Sequence, residues 1–319
     1  MARRELGPAA LAVVQAVAAA LTDADAHLLV ACSGGPDSLA LAFGAHRAAT
    51  REGRALTAVV VDHNLQPDSA AVAERAGDQL GRLGFTDVVI AEVTVPADAE
   101  GGPEAAARNA RYAALHSEAG RRSATVWLGH TLDDQAENVL LGLARGSGIR
   151  SLAGMAPRAG WLVRPLLGLR RAVTEQACAE LGLDPWSDPH NADPRFARVR
   201  VRRTVLPTLE AELGPGVAEA LARTAALARE DADLLDALAA EADPGTDTLH
   251  AATLLDQPAA LRTRVIRRWL LRHGADEATA RHVAAVEELV TRWHGQGEIN
   301  LPGVRVTRQD GSLHCQPDG

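Results

Sequence analysis

The sequence contains no lysine, so its 33 Lys/Arg positions are all arginine. That excludes the Walker phosphate loop, whose Gly-Lys-Ser/Thr ending requires a lysine. Phosphate contacts made by side-chain cations fall to arginine alone. Aromatics are scarce as well, with five Trp, one Tyr and three Phe, and the core must rest on Ala, Leu and Val. The three cysteines (Cys32, Cys178 and Cys315) are odd in number, scattered and without a C-x-x-C pair. They make neither a disulfide framework nor a zinc site and suit a reducing, cytoplasmic compartment. No apolar run reaches the ~18 residues of a membrane span. Arg3 and Arg4 ahead of an Ala/Leu/Val run outline a signal peptide, but Glu5 and Gln15 interrupt it. Leu11, Val14, Ala18 and Leu21 fall at helical spacing, which favours an amphipathic first helix.

The composition that remains, 47% hydrophobic and 23% charged over 319 residues, is that of a globular chain with two domains. From His27 onward apolar runs alternate with helical stretches. Strands are expected at His27–Ala31, Leu56–Val61, Asp87–Val93 and Ala124–Gly129. Helices are expected at Asp37–Arg51, Asp68–Leu83, Pro103–Ala119 and Asp133–Ala144. Four continuous apolar strands, each followed by a helix, imply an α/β fold with a doubly wound parallel sheet covered on both faces. Residues 145–207 read as irregular apart from a helix at Arg170–Leu181. A smaller, mainly helical C-terminal domain follows, with one or two short strands in Glu298–His314. The expected domains are 1–207 and 208–319.

Ligands of such sheets bind beyond the carboxyl ends of the strands. The loop after the first strand is Ser33-Gly34-Gly35-Pro36-Asp37-Ser38. Paired glycines let the backbone close on a ligand, and the following helix start offers N–H groups to an anion. Ser33 and Ser38 add hydroxyls. Asp37 beside phosphate calls for an intervening cation, which suggests a Mg²⁺ ligand. The loop after the fourth strand, Gly129-His130-Thr131-Leu132-Asp133-Asp134-Gln135-Ala136-Glu137-Asn138, opens a helix at the same sheet edge. Asp133 and Asp134 share a helix face with Glu137. Mutual repulsion among the three asks for a cation, either Mg²⁺ or a substrate ammonium. His130 is placed to donate to a phosphate or to position these carboxylates.

Ser-Gly-Gly-x-Asp-Ser after a first strand resembles the pyrophosphate (PP) loop of the N-type ATP pyrophosphatase superfamily. Gly-His-x-x-Asp-Asp-x-x-Glu followed by Arg145-Gly146-Ser147-Gly148 is similar to the tRNA(Ile)-lysidine synthetase family. Asp62-His63-Asn64-Leu65, Glu104 to Tyr112, and Asn191-Ala192-Asp193 leading into Phe196–Arg202 and Leu206-Pro207 agree with it. Where the family carries Thr this chain has Asn138, and where it carries Asn this chain has Val199. The resemblance implies ATP and Mg²⁺ as cofactors, with Ser33, Gly34, Gly35, Pro36, Asp37, Ser38, Asp62 and His63 on the nucleotide. Asp37 and Asp134 would hold the metal. Asp37, Arg108, Arg111, His130, Asp133, Asp134, Glu137 and Arg202 would be catalytic, and Arg145, Arg150, Arg198 and Arg202 would contact tRNA.

The net charge of −8 argues against a nucleic-acid partner until it is mapped locally. No acid interrupts the arginines between Asn138 and Thr174, more arginines crowd 195–203, and a third group lies between Gln257 and Ala275. Basic stretches of this kind are what a tRNA backbone requires. The resemblance implies that the partners are tRNA(Ile) with a CAU anticodon and free L-lysine, with no membrane; whether the chain forms a homodimer stays open. The implied reaction adenylates the wobble cytidine at its C2 oxygen, after which the lysine amine displaces AMP. The alternatives are a tRNA thiolase with the same loop, for which no cysteine pair is arranged, and a non-catalytic ATP-binding sensor.

Overall fold

The computed structural model describes residues 6–64, 68–94, 103–146, 148–188 and 192–317. Of the sequence features above, Arg3, Arg4, Glu5, Leu65, Ser147, Asn191 and the side chain of Glu104 lie outside that description. The chain divides into two compact units, Met1–Leu141 with Met155–Arg223, and Gly142–Gly154 with Thr224–Gly319. The first unit therefore runs on to Arg223, past the division expected at 207.

In order, the first unit carries α1 (Pro8–Ala20), β1 (His27–Ala31), α2 (Pro36–Glu52), β2 (Ala55–Asp62), α3 (Ser69–Arg82) and β3 (Val88–Glu92). Next come α4 (Pro103–Arg122), β4 (Thr125–Trp127) and α5 (Leu132–Ala144). A short α6 (Ile149–Leu152) belongs to the second unit. The first unit resumes with β5 (Arg158–Ala159), β6 (Leu162–Val163), α7 (Arg171–Leu181), α8 (Ala197–Arg200), a π-helical turn over Val201–Val205 and α9 (Leu206–Leu213). The sheet order is β3-β2-β1-β4-β6-β5, parallel throughout except that β5 runs antiparallel to β6. The four expected strands are all present. The pair β5 and β6 extends the sheet within a stretch that reads as irregular, because two-residue strands show no alternation.

Apolar residues on both faces of β1 and β2 explain why helices cover both sides. One core joins α1, α2, α3 and α7 through Val13, Leu39, Leu41, Leu80 and Cys178; the other packs Leu29, Val59 and Val126 on Leu115 of α4. In α1 the buried stripe is Ala9, Ala10, Val13 and Val17, and Leu11 is exposed, so the expected face is rotated. The small residues win because α1 lies close against Gly44 of α2, where an added Cβ would come within 2.8 Å of Val17.

In the second unit, the later part of α10 (Val217–Ala242) is followed by β7 (Thr248–His250), α11 (Ala251–Leu255), α12 (Ala259–Arg272) and α13 (Ala280–Thr291). Three strands complete it: β8 (Ile299–Leu301), β9 (Val304–Gln309) and β10 (Ser312–Pro317). A four-stranded antiparallel sheet, β7-β10-β9-β8, shares a core with Trp269, Ile266, Val286 and Leu313. Helices still predominate here, as expected, and the sheet has four strands where one or two were expected. The third arginine group is also not a free basic surface. Arg262 pairs with Glu287, Arg264 with Asp236, and Arg268 and Arg272 with Asp243, while Arg267 donates to the Ala278 carbonyl.

Candidate active site

The first loop turns at Gly34, whose φ of 79° is open to glycine at no steric cost. Helix α2 starts at Pro36 with Gly35 as N-cap, and no side chain caps it. Ser38 Oγ instead donates to the Gly35 carbonyl at 2.9 Å and accepts from the Ser33 N–H at 3.2 Å. A loop held by its own hydroxyls, ahead of an uncapped helix start, is a cradle for anionic oxygens. Ser33, Gly34, Gly35, Pro36, Asp37 and Ser38 all lie in it. Cys32 and Cys178 pad it from below: Cys32 Sγ is 3.5 Å from Ser38 Oγ, and Cys178 Sγ donates to the Pro36 carbonyl. Burial raises both thiols, Cys178 to about 12, so neither offers a thiolate.

The second loop is pressed onto the first. A Cβ on Gly129 would lie 2.8 Å from the Asp37 carbonyl oxygen and 3.1 Å from the Ser38 nitrogen. Backbone cannot yield as a side chain does. Gly129→Ala is therefore expected to separate the two loops and lower turnover at this site by up to about a hundredfold, the cost of a ~1 Å misplacement at a reacting centre. Steady-state kinetics beside a melting curve checks this; an unchanged rate with a normal melt refutes it.

The acidic trio does not wait for an external cation. Asp134 Oδ1 accepts from Arg171 at 3.0 Å, Arg198 at 3.1 Å and Arg202 at 3.5 Å. Its Oδ2 accepts from the Thr131 N–H and hydroxyl at 2.8 and 2.9 Å. The Glu137 side chain is 0% exposed, and it accepts from Arg198 Nε and Arg202 Nε, each at 2.7 Å, and from Arg171 at 3.3 Å. Asp133 takes the Arg171 backbone N–H at 2.7 Å and Arg170 Nε at 3.2 Å. Three guanidiniums thus face the two most enclosed carboxylates, where mutual repulsion of the trio calls for Mg²⁺ or an ammonium. Burial and desolvation work against the charge of Asp134, yet Arg171 and Arg198 hold it below the usual carboxylate range.

Arg171, in the sequence only one member of a basic stretch, joins these pieces. Its guanidinium reaches Asp37 at 3.5 Å as well as Asp134 and Glu137, which ties the first loop to α5. Thr174, a turn further along α7 and fully buried, donates to Asp37 Oδ1. Burial outweighs both partners and pushes the Asp37 carboxyl up to about 6, with Asp134 adding to the rise. No motif announces these contacts, since Thr174 is separated from Asp37 by 137 positions.

The remaining expected residues fall into two groups. His63 and His130 lie near Arg111. Burial and that cation lower His63, and burial with Arg164, Arg198 and Arg111 pushes His130 down to about 3, so both rings are neutral near pH 7. Asp62 is buried and accepts the Asn64 N–H at 2.9 Å. Arg108 and Arg111 stack on Tyr112 at 4.9 and 5.6 Å from the ring centroid. Arg198 and Arg202 converge on Glu137, which places two of the four tRNA candidates against the carboxylates. Arg145 is exposed, and Arg150 is paired with Asp233 and Asp236 of the second unit. Val199, where the family pattern has Asn, is buried.

An uncapped glycine-rich loop on a parallel sheet, braced by Arg171 to an acidic helix, defines a PP-loop protein, and the PP-loop domain family matches residues 10–209. The family described as the TilS substrate binding domain matches residues 249–314. Proteins named tRNA(Ile)-lysidine synthase are similar over nearly the whole length. The one from Mycolicibacterium paratuberculosis is 55% identical over 309 residues, covering 94% of this chain and 93% of the relative. The one from Leifsonia xyli is 53% identical over 301 residues (92% and 90%), and that from Thermobifida fusca 51% over 322 residues (98% and 99%). The chain belongs to the tRNA(Ile)-lysidine synthase family. A U34-tRNA thiolase from Methanococcus maripaludis, solved with its [4Fe-4S] cluster, shares the fold with a TM-score of 0.56 at 17% identity, over 68% of this chain and 77% of that one.

Proposed function

We propose that this chain uses ATP to join L-lysine to C2 of the wobble cytidine of tRNA(Ile) bearing a CAU anticodon, forming lysidine, AMP and pyrophosphate. The observation that carries the reading is the Arg171 bridge, which joins the nucleotide loop at Asp37 to the α5 carboxylates. Neither alternative has such support: Cys32 and Cys178 are buried, raised thiols, and a sensor has no need of a carboxylate cluster beside its nucleotide.

The cytidine C2 oxygen attacks the α phosphorus of ATP, and pyrophosphate leaves from the Ser33–Ser38 loop. The lysine amine then attacks C2, the C–O bond to the phosphate breaks, and AMP departs. The loop N–H groups and hydroxyls bear on charge developing at phosphate oxygens. Beside the trio lies a cavity of about 170 Å³, lined among others by Asp133, Glu137, Glu210, Arg170, Arg171 and Arg202. Carboxylates and guanidiniums together suit an amino acid, which carries both charges. Asp133 is the least enclosed of the trio, 16% exposed against 10% for Asp134, and it is the carboxylate best placed to take the amine's proton.

Mg²⁺, when bound, neutralises phosphate charge and assists pyrophosphate departure. Asp37 fits it: the carboxylate is desolvated, raised, and stands where the triphosphate would lie. Asp134 fits less well, since three guanidiniums and Thr131 already occupy its oxygens. Among the described residues no group of three or more His, Cys, Asp or Glu side chains is set to hold a metal ion. Mg²⁺ bound mainly through substrate phosphates and one carboxylate is consistent with that.

The test is mass spectrometry of tRNA nucleosides after incubation with ATP and isotope-labelled lysine. A labelled cytidine adduct is expected with cognate tRNA; its absence there overturns the reading.

A further inference from the structure

We infer that Arg164 receives a phosphate oxygen of a bound substrate, beside His130 at the carboxyl edge of the sheet. This rests on the reading of the site as that of an ATP-dependent tRNA-modifying enzyme. Arg164 directly follows β6, which pairs in parallel with β4 in the register Trp127↔Val163. The Leu128 N–H donates to the Val163 carbonyl at 2.9 Å, so Arg164 and His130 leave adjacent strands at one edge. Arg164 as a residue is only 8% exposed. One end is tethered, with Nη1 donating to the Ala156 carbonyl at 2.9 Å and the backbone N–H donating to the Pro157 carbonyl at 2.7 Å. Its Nε is buried without a hydrogen-bond partner, and so is Nδ1 of His130.

Other arginines of the site are satisfied within the chain, since Arg170, Arg171, Arg198 and Arg202 each grip a carboxylate. No ion pair is recorded for Arg108, Arg111 or Arg164 among the described residues, although Arg111 and Arg164 both stand near enough to His130 to disfavour its protonation. The carboxylate facing His130 is that of Asp134, which already carries three guanidiniums. Asp62 faces His63. A buried cation with an unused N–H is costly unless something completes it. A phosphate offers acceptor oxygens and no donor, which matches guanidinium N–H groups and the N–H of a neutral imidazole. That phosphate belongs either to ATP or to the tRNA backbone.

The experiment compares wild type with Arg164→Met and Arg164→Lys. It measures equilibrium binding of ATP and of tRNA(Ile) transcript separately, together with the melting temperature of the free protein. Arg164→Met is expected to melt at or above the wild-type temperature, because it removes an uncompensated buried charge. It should weaken one ligand about tenfold or more while leaving the other within twofold, and the weakened ligand names the source of the phosphate. Arg164→Lys keeps the charge but lacks Nε–H, and should fall between the two. Unchanged affinity for both ligands overturns the proposal. A several-degree fall in melting temperature in both variants with equal weakening of both ligands also overturns it, since that marks a structural role. Wild type that binds both ligands and makes no lysidine counts against the proposed reaction and leaves the Arg164 comparison intact.

Discussion

Replacing Glu137 by alanine is expected to destabilise the protein by about 3–5 kcal/mol, the usual cost of removing one partner from a buried ion pair. Its side chain is 0% exposed and touches three guanidiniums, those of Arg171, Arg198 and Arg202. Its loss leaves Asp134 as the one carboxylate facing both Arg198 and Arg202, and leaves Arg171 to Asp134 and Asp37. For a unit of this size each kcal/mol moves the melting temperature by ~2–4 °C, so a fall of roughly 6–20 °C should appear by calorimetry. Glu137→Gln keeps the shape and one acceptor, and should cost less. The rate of lysine transfer should drop at least ~100-fold in Glu137→Ala, because Arg198 and Arg202 lose their anchor and the seat of the substrate goes with them. A double variant with Arg202→Ala should lose less than the sum of the two single changes, since they share one network. A loss of stability below about 1 kcal/mol would show that the cluster carries no net weight.

That network also marks where a linear reading of the chain runs out. The two loops were legible because each is local: Ser33 to Ser38 and His130 to Glu137 state their chemistry within ten residues. The parallel sheet was legible because β1 and β2 are apolar on both faces. What answers the acidic trio was not legible, because charges in a sequence carry no addresses. Arg171 looks like one more surface arginine, and Arg198 and Arg202 like contacts for a substrate, until α7 and the helical stretch from Ala197 fold back onto α5. The same blindness acts in the opposite sense in the second unit. Arg262, Arg264, Arg268 and Arg272 read as a nucleic-acid patch, yet Glu287, Asp236 and Asp243 neutralise them. The acidic helix α10 supplies Asp236, so the negative region and the basic group partly cancel each other. For α1 the miss is one of packing. Periodicity picks the large apolar stripe, but the missing side chain of Gly44 lets Val13 and Val17 come close and turns their face inward.

Asp37→Asn should make the protein more stable and far less active, and the size of the first effect should depend on pH. Burial holds the Asp37 carboxyl at about 6 in the folded chain, against 3.8 for the free group. The folded state therefore binds a proton more tightly than the unfolded state does. The stability this contributes is fully present below pH ~3.8 and is lost as the pH rises through about 6. Above pH ~7 the wild type carries a penalty on the order of 3 kcal/mol that asparagine does not. Measured without ATP or Mg²⁺, the melting temperatures of wild type and Asp37→Asn should lie close together near pH 4 and separate in favour of the variant by pH 8. Thr174 and Arg171 already act to lower this carboxyl, so Thr174→Val should widen the gap. Activity should move the other way. The Mg²⁺ that this carboxylate would help hold would supply several kcal/mol of charge stabilisation at the phosphates, so the variant should lose about two orders of magnitude or more in rate. The wild-type rate should also fall on the acid side of pH ~6 as Asp37 takes up its proton. Stability gained where activity is lost is the signature of a carboxylate kept buried for its chemistry. Parallel pH–stability profiles for the two proteins would locate the raised carboxyl elsewhere and remove Asp37 from the nucleotide loop's chemistry.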